Sequence, residues 1–230
     1  MSTLSIIIPV LDEAAGIADM LAALAPLRAR GVEVIVVDGG SRDGTPELAR
    51  PLADRVLSAP RGRAAQMNAG AAAARGNVFL FLHADTLLPP HADRLIHDGL
   101  ARGPAWGRFD VRIDGKRRLL PMVAAFMNTR SRITGIATGD QAIFVTRAAF
   151  VRSGGFPDIA LMEDIALSRR LKRFGRPSCL RARVATAGRR WDRGGVARTI
   201  VLMWRLRLAY RLGVSPSVLA RRYGYAPREK

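Results

Sequence analysis

The chain has 230 residues, one cysteine and a formal net charge of +18. A single cysteine, Cys179, excludes an internal disulfide and a multi-cysteine zinc site. No basic residue precedes the first apolar stretch, and Pro9 and Asp12 interrupt it, so no signal peptide is predicted. We expect a cytoplasmic protein built as one large domain, or as a domain with a helical extension.

The positive charge is concentrated in the last third of the chain. Residues 1–164 carry a net charge of +2, whereas residues 165–230 carry +16. A basic surface suits nucleic acid, anionic lipid or phosphate-bearing substrates. High arginine usage from genome composition is an alternative explanation, because only three of the basic residues are lysines.

The first half of the chain alternates apolar strands with helices. The patterns predict strands at 5–10, 32–37 and 55–58 and a fourth that ends at Leu82. Between them they predict an amphipathic helix over 17–27, a helix with Thr45 as cap and Pro46 as first residue, and an Ala-rich helix over 64–74. This order is typical of right-handed parallel crossovers.

Alternation is weaker in the second half. We predict strands at 106–113 and 142–146 and helices at 119–129, 163–174 and 196–212. Four arginines interrupt the last helix, so it is not predicted to span a membrane, and we expect Trp204 and Tyr210 to be packed. The expected fold is α/β: a Rossmann-like, mostly parallel sheet with helices on both faces, plus a C-terminal helical extension.

Two predicted strands end at a carboxylate, Asp38 and Asp85. Ligands of open α/β sheets bind beyond the carboxyl ends of the strands, so Asp38 could accept hydrogen bonds from a ribose hydroxyl or a nucleobase. An aspartate at this position is also explained by the turn alone, because Asp and Gly are common in such turns. Asp85 suits Mg2+ or Mn2+, which take carboxylate and phosphate oxygens. His83 would lie on the same side as Asp85. The alternative interpretation is that Asp85 only caps a helix and that His83 is a structural residue with its hydrogen bonds made within the protein.

Two further motifs have both a functional and a structural interpretation. Arg61-Gly62-Arg63 precedes a helix N-terminus, where backbone N–H groups and guanidiniums can hold phosphate, although an isolated pair of solvated arginines is common. Glu163-Asp164 begins a helix, where the dipole favours acids. A carboxylate there could also act as a general base.

The ordered motifs together resemble those of the family 2 glycosyltransferases with a GT-A fold. They are Ser5–Glu13, Val36–Thr45, His83-Ala84-Asp85, and Gly154-Gly155-Phe156 followed by Glu163-Asp164. The resemblance covers roughly residues 4 to 175. It is specific as a set rather than in any single motif.

The resemblance implies an inverting transfer of a sugar from a nucleotide-diphosphate donor, with Mn2+ or Mg2+ as cofactor. By position, Asp85 matches the metal-binding acid and Asp164 the catalytic base. His83 stands where the family usually has the first Asp of its D-x-D element, and we interpret it as a variation in the donor site. The remaining donor-site matches are Pro9, Glu13 and Asp38 around the nucleoside, and Arg61 and Arg63 near the base or phosphates.

The resemblance also suggests how the chain is divided. It implies a GT-A domain over 1–190, with a nucleotide-binding half at 1–105 and an acceptor half at 106–190, and a basic helical extension over 191–230. Asp140 and Gln141, together with Glu163, could form the acceptor side, or the first two could simply lie in a turn. Residues 189–193 could close over the donor pyrophosphate as a basic flap, or form a surface loop around Trp191.

Two other functions remain open from the sequence. A non-catalytic basic module could bind anionic lipid or nucleic acid. The sequence has no recognisable nucleic-acid-binding motif, so nucleic acid is not expected as a partner. A sugar nucleotidyltransferase is disfavoured, because no extended Gly-rich, Arg-bearing loop follows the first strand. A combined hypothesis is an enzyme with an unidentified acceptor whose last helix and basic tail rest on the inner face of an anionic membrane.

Overall fold

The computed structural model describes residues 3–225. Its strands are β1 (Leu4–Val10), β2 (Glu33–Asp38), β3 (Arg55–Ser58), β4 (Val78–Phe81), β5 (Thr86–Leu87), β6 (Trp106–Asp114), β7 (Phe144–Thr146) and β8 (Ser178–Ala187). Its helices are α1 (Ile17–Ala23), α2 (Ala25–Arg28), α3 (Thr45–Ala49), α4 (Arg63–Ala73), α5 (Ala92–Ala101), α6 (Leu120–Thr134), α7 (Arg147–Arg152), α8 (Glu163–Leu171), α9 (Arg189–Gly194), α10 (Val196–Arg211) and α11 (Pro216–Tyr223). Short 3-10 turns occupy Gly139–Gln141 and Lys172–Phe174.

One eight-stranded sheet organises the fold, in the order β3-β2-β1-β4-β7-β6-β8-β5. The pairs β1–β2, β1–β4, β2–β3 and β6–β8 are parallel. β7 is antiparallel to both of its neighbours, and β5 is antiparallel to β8. The predicted α/β fold with a mostly parallel sheet is therefore confirmed.

Both faces of the sheet are covered, which explains why the central strands are apolar without alternation. In β1, Ile6 and Ile8 enter the cluster that packs under α1, whereas Ile7 enters the cluster beneath α4. α4 lies close to the sheet because Gly70 has no side chain; a Cβ there would meet Ile7. Nearer the start of α4, the Gln66 amide donates to the Val10 and Val37 carbonyls at 2.8 Å, which holds that end of the helix beside the carboxyl ends of β1 and β2.

Several boundaries differ from the predictions for local reasons. The helix predicted over 17–27 is two helices joined at Leu24, since Pro26 cannot continue the backbone hydrogen bonds. Gly44, not Thr45, is the N-cap of α3. The Thr45 hydroxyl instead accepts from the Glu13 backbone and donates to Asp43.

The C-terminal part folds back onto the sheet domain. α10 and α11 pack on a small apolar cluster that includes Leu161, Ile165 and Leu206. Within residues 3–225, no helix combines the length and the apolar character that crossing a membrane requires. The prediction that Trp204 is packed is wrong: its side chain is 57% exposed.

Candidate active site

A cleft of about 740 Å³ lies beyond the carboxyl ends of β1 and β4. Helices α9 and α10 form its far wall. Its charged and polar lining combines three acids with a histidine and several arginines: Glu13, Asp85, Asp140, His83, Arg63, Arg189, Arg190, Arg193 and Arg198. Five of these residues were predicted from the sequence as donor-site or acceptor-side candidates, and Pro9 also lines the cleft.

Asp85 lies in the short turn between β4 and β5, with its side chain 30% exposed to the cleft. One carboxylate oxygen, Oδ2, is 3.6 Å from Nη2 of Arg189. The same Nη2 is 3.4 Å from Oε2 of Glu13, at the end of β1. One guanidinium therefore sits between two carboxylates that come from different strand ends.

This pair of carboxylates fits a divalent cation. Within residues 3–225 no group of three or more His, Cys, Asp or Glu side chains is arranged to hold a metal. Mg2+ and Mn2+ are, however, commonly held by one or two carboxylates together with substrate phosphates. Arg189, a cation, already occupies such a position, and because it is more than half exposed its ion pairs add little stability.

His83 and Asp140 face each other across the floor of the cleft. Nδ1 of His83 lies 3.4 Å from Oδ1 of Asp140. The ring also packs directly against Gly139, where a Cβ would collide with it. Partial burial opposes ionisation of Asp140, but His83 and the nearby arginines outweigh it, so the pKa of this carboxyl is below its usual range.

Asp164 is the second residue of α8 and is partly buried, and the side chains that line the cleft include neither it nor Glu163. Its Oδ2 accepts a hydrogen bond from the Gly139 backbone N–H at 2.9 Å, and its Oδ1 accepts from Ile165 N–H at 2.7 Å. Desolvation raises the pKa of Asp164, and these two N–H donors oppose that shift. The carboxylate is thus oriented by the backbone of the loop that carries Asp140.

Glu163 is 6% exposed, and its pKa is raised to about 7 by burial and by the neighbouring Asp164. A folded-state pKa above the ordinary 4.5 means that the folded protein binds this proton more tightly than the unfolded chain. The contribution of this group to stability is therefore complete below about pH 4.5 and is lost as the pH rises through 7.

We expect Glu163→Gln to remove this pH dependence, because an amide does not titrate. Relative to the parent protein, the variant's free energy of unfolding should rise by roughly 2 to 3 kcal/mol between pH 5 and pH 8. Urea unfolding of both proteins at the two pH values measures it. Parallel pH profiles for the two proteins would contradict the assignment of a raised pKa to Glu163.

A basic wall closes the cleft opposite Asp85. The Arg190 guanidinium carbon lies 3.7 Å from the centre of the Tyr223 ring, and its Nη1 donates to the Tyr223 carbonyl at 3.2 Å. Arg63, at the start of α4, interacts electrostatically with Glu163, Asp140 and Asp164. This wall presents several guanidiniums to any anion in the cleft.

Besides Glu163 and Asp164, three sequence-predicted residues lie outside the lining of the cleft. Asp38 is buried, and its carboxylate accepts from the Gly40 and Ser41 backbone N–H groups and from the Ser41 hydroxyl. Arg61 is exposed, with its guanidinium 5.7 Å from the Tyr225 ring. Gln141 is fully buried and closes a capping box with Thr138, so the structure gives it a structural role.

Sequence reasoning missed Arg198 and Tyr223 as cleft residues. Both stand in the basic C-terminal third, which has no motif that points to a particular ligand. The flap predicted for residues 189–193 was one of two alternatives. The structure brings its arginines into the cleft, and Arg189 contacts both Asp85 and Glu13.

Comparisons with known proteins agree with this architecture. The family model of glycosyl transferase family 2 matches residues 5–153. No curated protein sequence matches the chain. Many solved structures share its fold.

Three solved structures illustrate the similarity. A mannosyltransferase from Pyrobaculum calidifontis in complex with GDP-Man and Mn2+ is 24% identical, with a TM-score of 0.65 over 98% of this chain and 66% of that one. TarS from S. aureus in complex with UDP is 17% identical, with a TM-score of 0.65 over 80% of this chain and 60% of that one. Glucosyl-3-phosphoglycerate synthase from Mycobacterium tuberculosis, in complex with Mn2+, UDP and glucosyl-3-phosphoglycerate, is 20% identical. Its TM-score is 0.64 over 97% of this chain and 81% of that one.

At these identities the likeness is one of fold. The fold is similar to that of GT-A glycosyltransferases. The chain spans 66% of the mannosyltransferase and 60% of the TarS chain, so each of those proteins has parts without a counterpart here.

Proposed function

The chain belongs to glycosyl transferase family 2, and on that premise we propose that it transfers a sugar from a nucleotide-diphosphate donor to an acceptor hydroxyl. We further propose that the anomeric carbon is inverted. The observation that carries the proposal is the cleft in which Asp85, at a strand end, faces a wall of arginines. Acids and arginines in one cleft suit a substrate that has both a diphosphate and hydroxyl groups.

The donor would lie with its nucleoside near the carboxyl ends of β1 and β2. Pro9 and Glu13 line this end of the cleft. Asp38 would also bind the nucleoside if its turn rearranged so that one carboxylate oxygen could accept a hydrogen bond from it. Arg63 and Arg190 would hold the diphosphate, with Arg61 at the edge. Guanidiniums fixed before the reaction stabilise negative charge as it develops on the leaving group.

Asp85 would hold a divalent cation together with the diphosphate oxygens, and Glu13 lies close enough to assist. The bound cation, Mn2+ or Mg2+, would supply charge neutralisation for the departing nucleoside diphosphate. His83, held beside Asp140, replaces an acid at the edge of this donor site and lowers its negative charge.

Asp164 is the proposed general base. It would remove the proton of the acceptor hydroxyl as that oxygen attacks the anomeric carbon from the face opposite the diphosphate. Inversion requires only this one carboxylate, unlike the carboxylate pair of glycosidases. The hydrogen bond from Gly139 N–H fixes the direction of its lone pairs, and Asp140 and Glu163 would border the acceptor.

A thermal-shift panel tests the donor class. Nucleoside diphosphates and their sugars are added to the protein with and without Mn2+, and we expect stabilisation that requires both nucleotide and cation. A ligand at a hundredfold excess over its Kd raises the free energy of unfolding by about 2.7 kcal/mol. Stabilisation by inorganic diphosphate alone, equal to that by every nucleotide, would contradict a nucleotide-sugar site.

A further inference from the structure

Helices α6 and α10 each expose several large apolar side chains to solvent. On α6 the exposed apolar side chains are Leu119 at its N-cap, Met122, Phe126 and Ile133. On α10 they are Val201, Trp204 and Leu208, followed by Leu212 at its end. The spacings of three, four and seven residues place each set on one helical face.

The two faces adjoin each other. The rings of Phe126 and Trp204 are 6.0 Å apart, although each is more than half exposed. The opposite sides of both helices are buried: Leu120 and Val123 pack on the sheet, and Leu206 packs under α11. These eight exposed side chains, Leu119, Met122, Phe126, Ile133, Val201, Trp204, Leu208 and Leu212, are called the apolar face below. Surfaces of this kind on a soluble fold mark interaction sites.

The side chains that border the apolar face are basic, and neither of its two helices carries an Asp or Glu. Sequence segments 115–139 and 193–228 contain no Asp or Glu. Exposed basic side chains stand at both ends of α6 and along α10: Lys116, Arg117, Arg118, Arg132, Arg198, Arg205 and Arg211. The combination of exposed aromatic and aliphatic side chains with surrounding arginines is typical of helices that lie in a bilayer interface.

We propose that the apolar face docks on the surface of an anionic lipid bilayer. Trp204 and Phe126 would enter the boundary between headgroups and acyl chains, and the arginines would contact the anionic headgroups. The charge of the face selects this partner over a second copy of the chain. A two-fold interface would place the same arginines opposite one another.

Docking would set the position of the cleft relative to the bilayer. α10 contributes Thr199, Leu202 and Met203 to the lining of the cleft, while its outer side carries part of the apolar face. The cleft would therefore open within one helix diameter of the membrane, about 10 Å. This docking depends on the surface alone and does not depend on the proposed reaction.

Vesicle flotation tests the proposal with the full-length protein. One set of vesicles is phosphatidylcholine, and the other is an equal mixture of phosphatidylcholine and phosphatidylglycerol. We expect flotation with the mixed vesicles only, weakened by high salt because the Debye length shortens. Brominated phosphatidylcholine in the mixed vesicles should quench the fluorescence of Trp204, the most exposed of the three tryptophans.

Paired variants separate the apolar and charged contributions. Phe126→Ser with Trp204→Ser should lower the partition coefficient at least about tenfold, since two aromatic side chains no longer leave water. The matched control is Leu48→Ser with Val151→Ser, two exposed apolar residues on other elements. The double variant Arg205→Gln, Arg211→Gln should lower the partition coefficient about thirtyfold. Its control is Arg94→Gln with Arg102→Gln, which removes two exposed arginines on or next to α5 and should leave the partition coefficient unchanged.

Three outcomes would overturn the proposal. The first is no flotation, or equal flotation with neutral and anionic vesicles. The second is an equal loss in the control variants. The third is a dimer in sedimentation velocity that the Phe126→Ser, Trp204→Ser variant converts to a monomer, which would assign the apolar face to a second copy. Because the replaced side chains are exposed, an unchanged melting temperature of each variant shows that it folds.

Discussion

Asp164→Asn is expected to lower the rate of sugar transfer by roughly 100- to 10,000-fold while leaving donor affinity within about twofold. The amide oxygen can still accept the hydrogen bond from Gly139 N–H, so the loop is kept, while the bond from Ile165 N–H is given up. The amide cannot take a proton from the acceptor. Release of nucleoside diphosphate measures transfer, and isothermal titration with the nucleotide and Mn2+ measures donor binding.

Glu163→Gln is the matched control, because it makes the same chemical change one residue earlier in α8. Its side chain is almost fully buried, and we expect its kcat at pH 8 to fall far less than that of Asp164→Asn. Full transfer activity in Asp164→Asn would remove Asp164 as the base. Loss of donor affinity in the same variant would place it on the donor side of the cleft instead.

Asp85→Asn should reduce kcat/KM by roughly 100-fold and remove the dependence of donor binding on Mn2+. The neutral amide is a poor ligand for a divalent cation, and it also no longer attracts Arg189. Titration of Mn2+ at fixed nucleotide, followed by thermal shift, is the direct measurement. It has a readout that does not require turnover.

Asp98→Asn is the control for the change in net charge, since Asp98 is an exposed acid of α5. It should leave both kcat/KM and the Mn2+ dependence unchanged. If Asp85→Asn retained the same Mn2+ dependence as the parent protein, the proposed cation would bind elsewhere. If transfer were lost as well, Asp85 would contact the donor directly rather than through the cation.

The sequence predicted the strands of the sheet correctly where those strands are buried on both faces. Continuous apolar runs such as Val34–Val37 and Val78–Leu82 have few alternative structures, and the turn residues after them limit where they end. The observed order β3-β2-β1-β4 agrees with right-handed crossovers but was not itself predicted. For the same reason the sequence alone places Asp85 beyond the carboxyl end of a strand.

The second half was harder because its strands and helices carry mixed patterns. Strand β8 was not predicted, since Arg181 and Arg183 break its apolar pattern, and only pairing with β6 over most of its length makes it a strand. The exposure of Trp204 was also mispredicted. An aromatic residue within an apolar helix is usually buried, and the sequence does not reveal which side of α10 meets the protein.

Predicted residues that follow strand ends do line the cleft. His83 and Asp85 could be placed there from the topology of the parallel strands, whereas Glu13 was suggested by the family resemblance. Arg198 and Tyr223 depend on where α10 and α11 return to the sheet, which no local signal encodes. Asp38 shows the opposite difficulty: its position was right, but its carboxylate makes three hydrogen bonds within its own turn.

The contact between Glu13 and Arg189 joins residues 176 positions apart in the chain. Opposite sides of the cleft thus come from the first and last parts of the polypeptide, and contacts of such separation form late and slowly. A fragment ending near residue 153, where the family match stops, would retain Asp85 yet lack every arginine of α9 and α10. A piece that ends there would hold only one side of the cleft, because the lining is complete only when α9, α10 and α11 are in place.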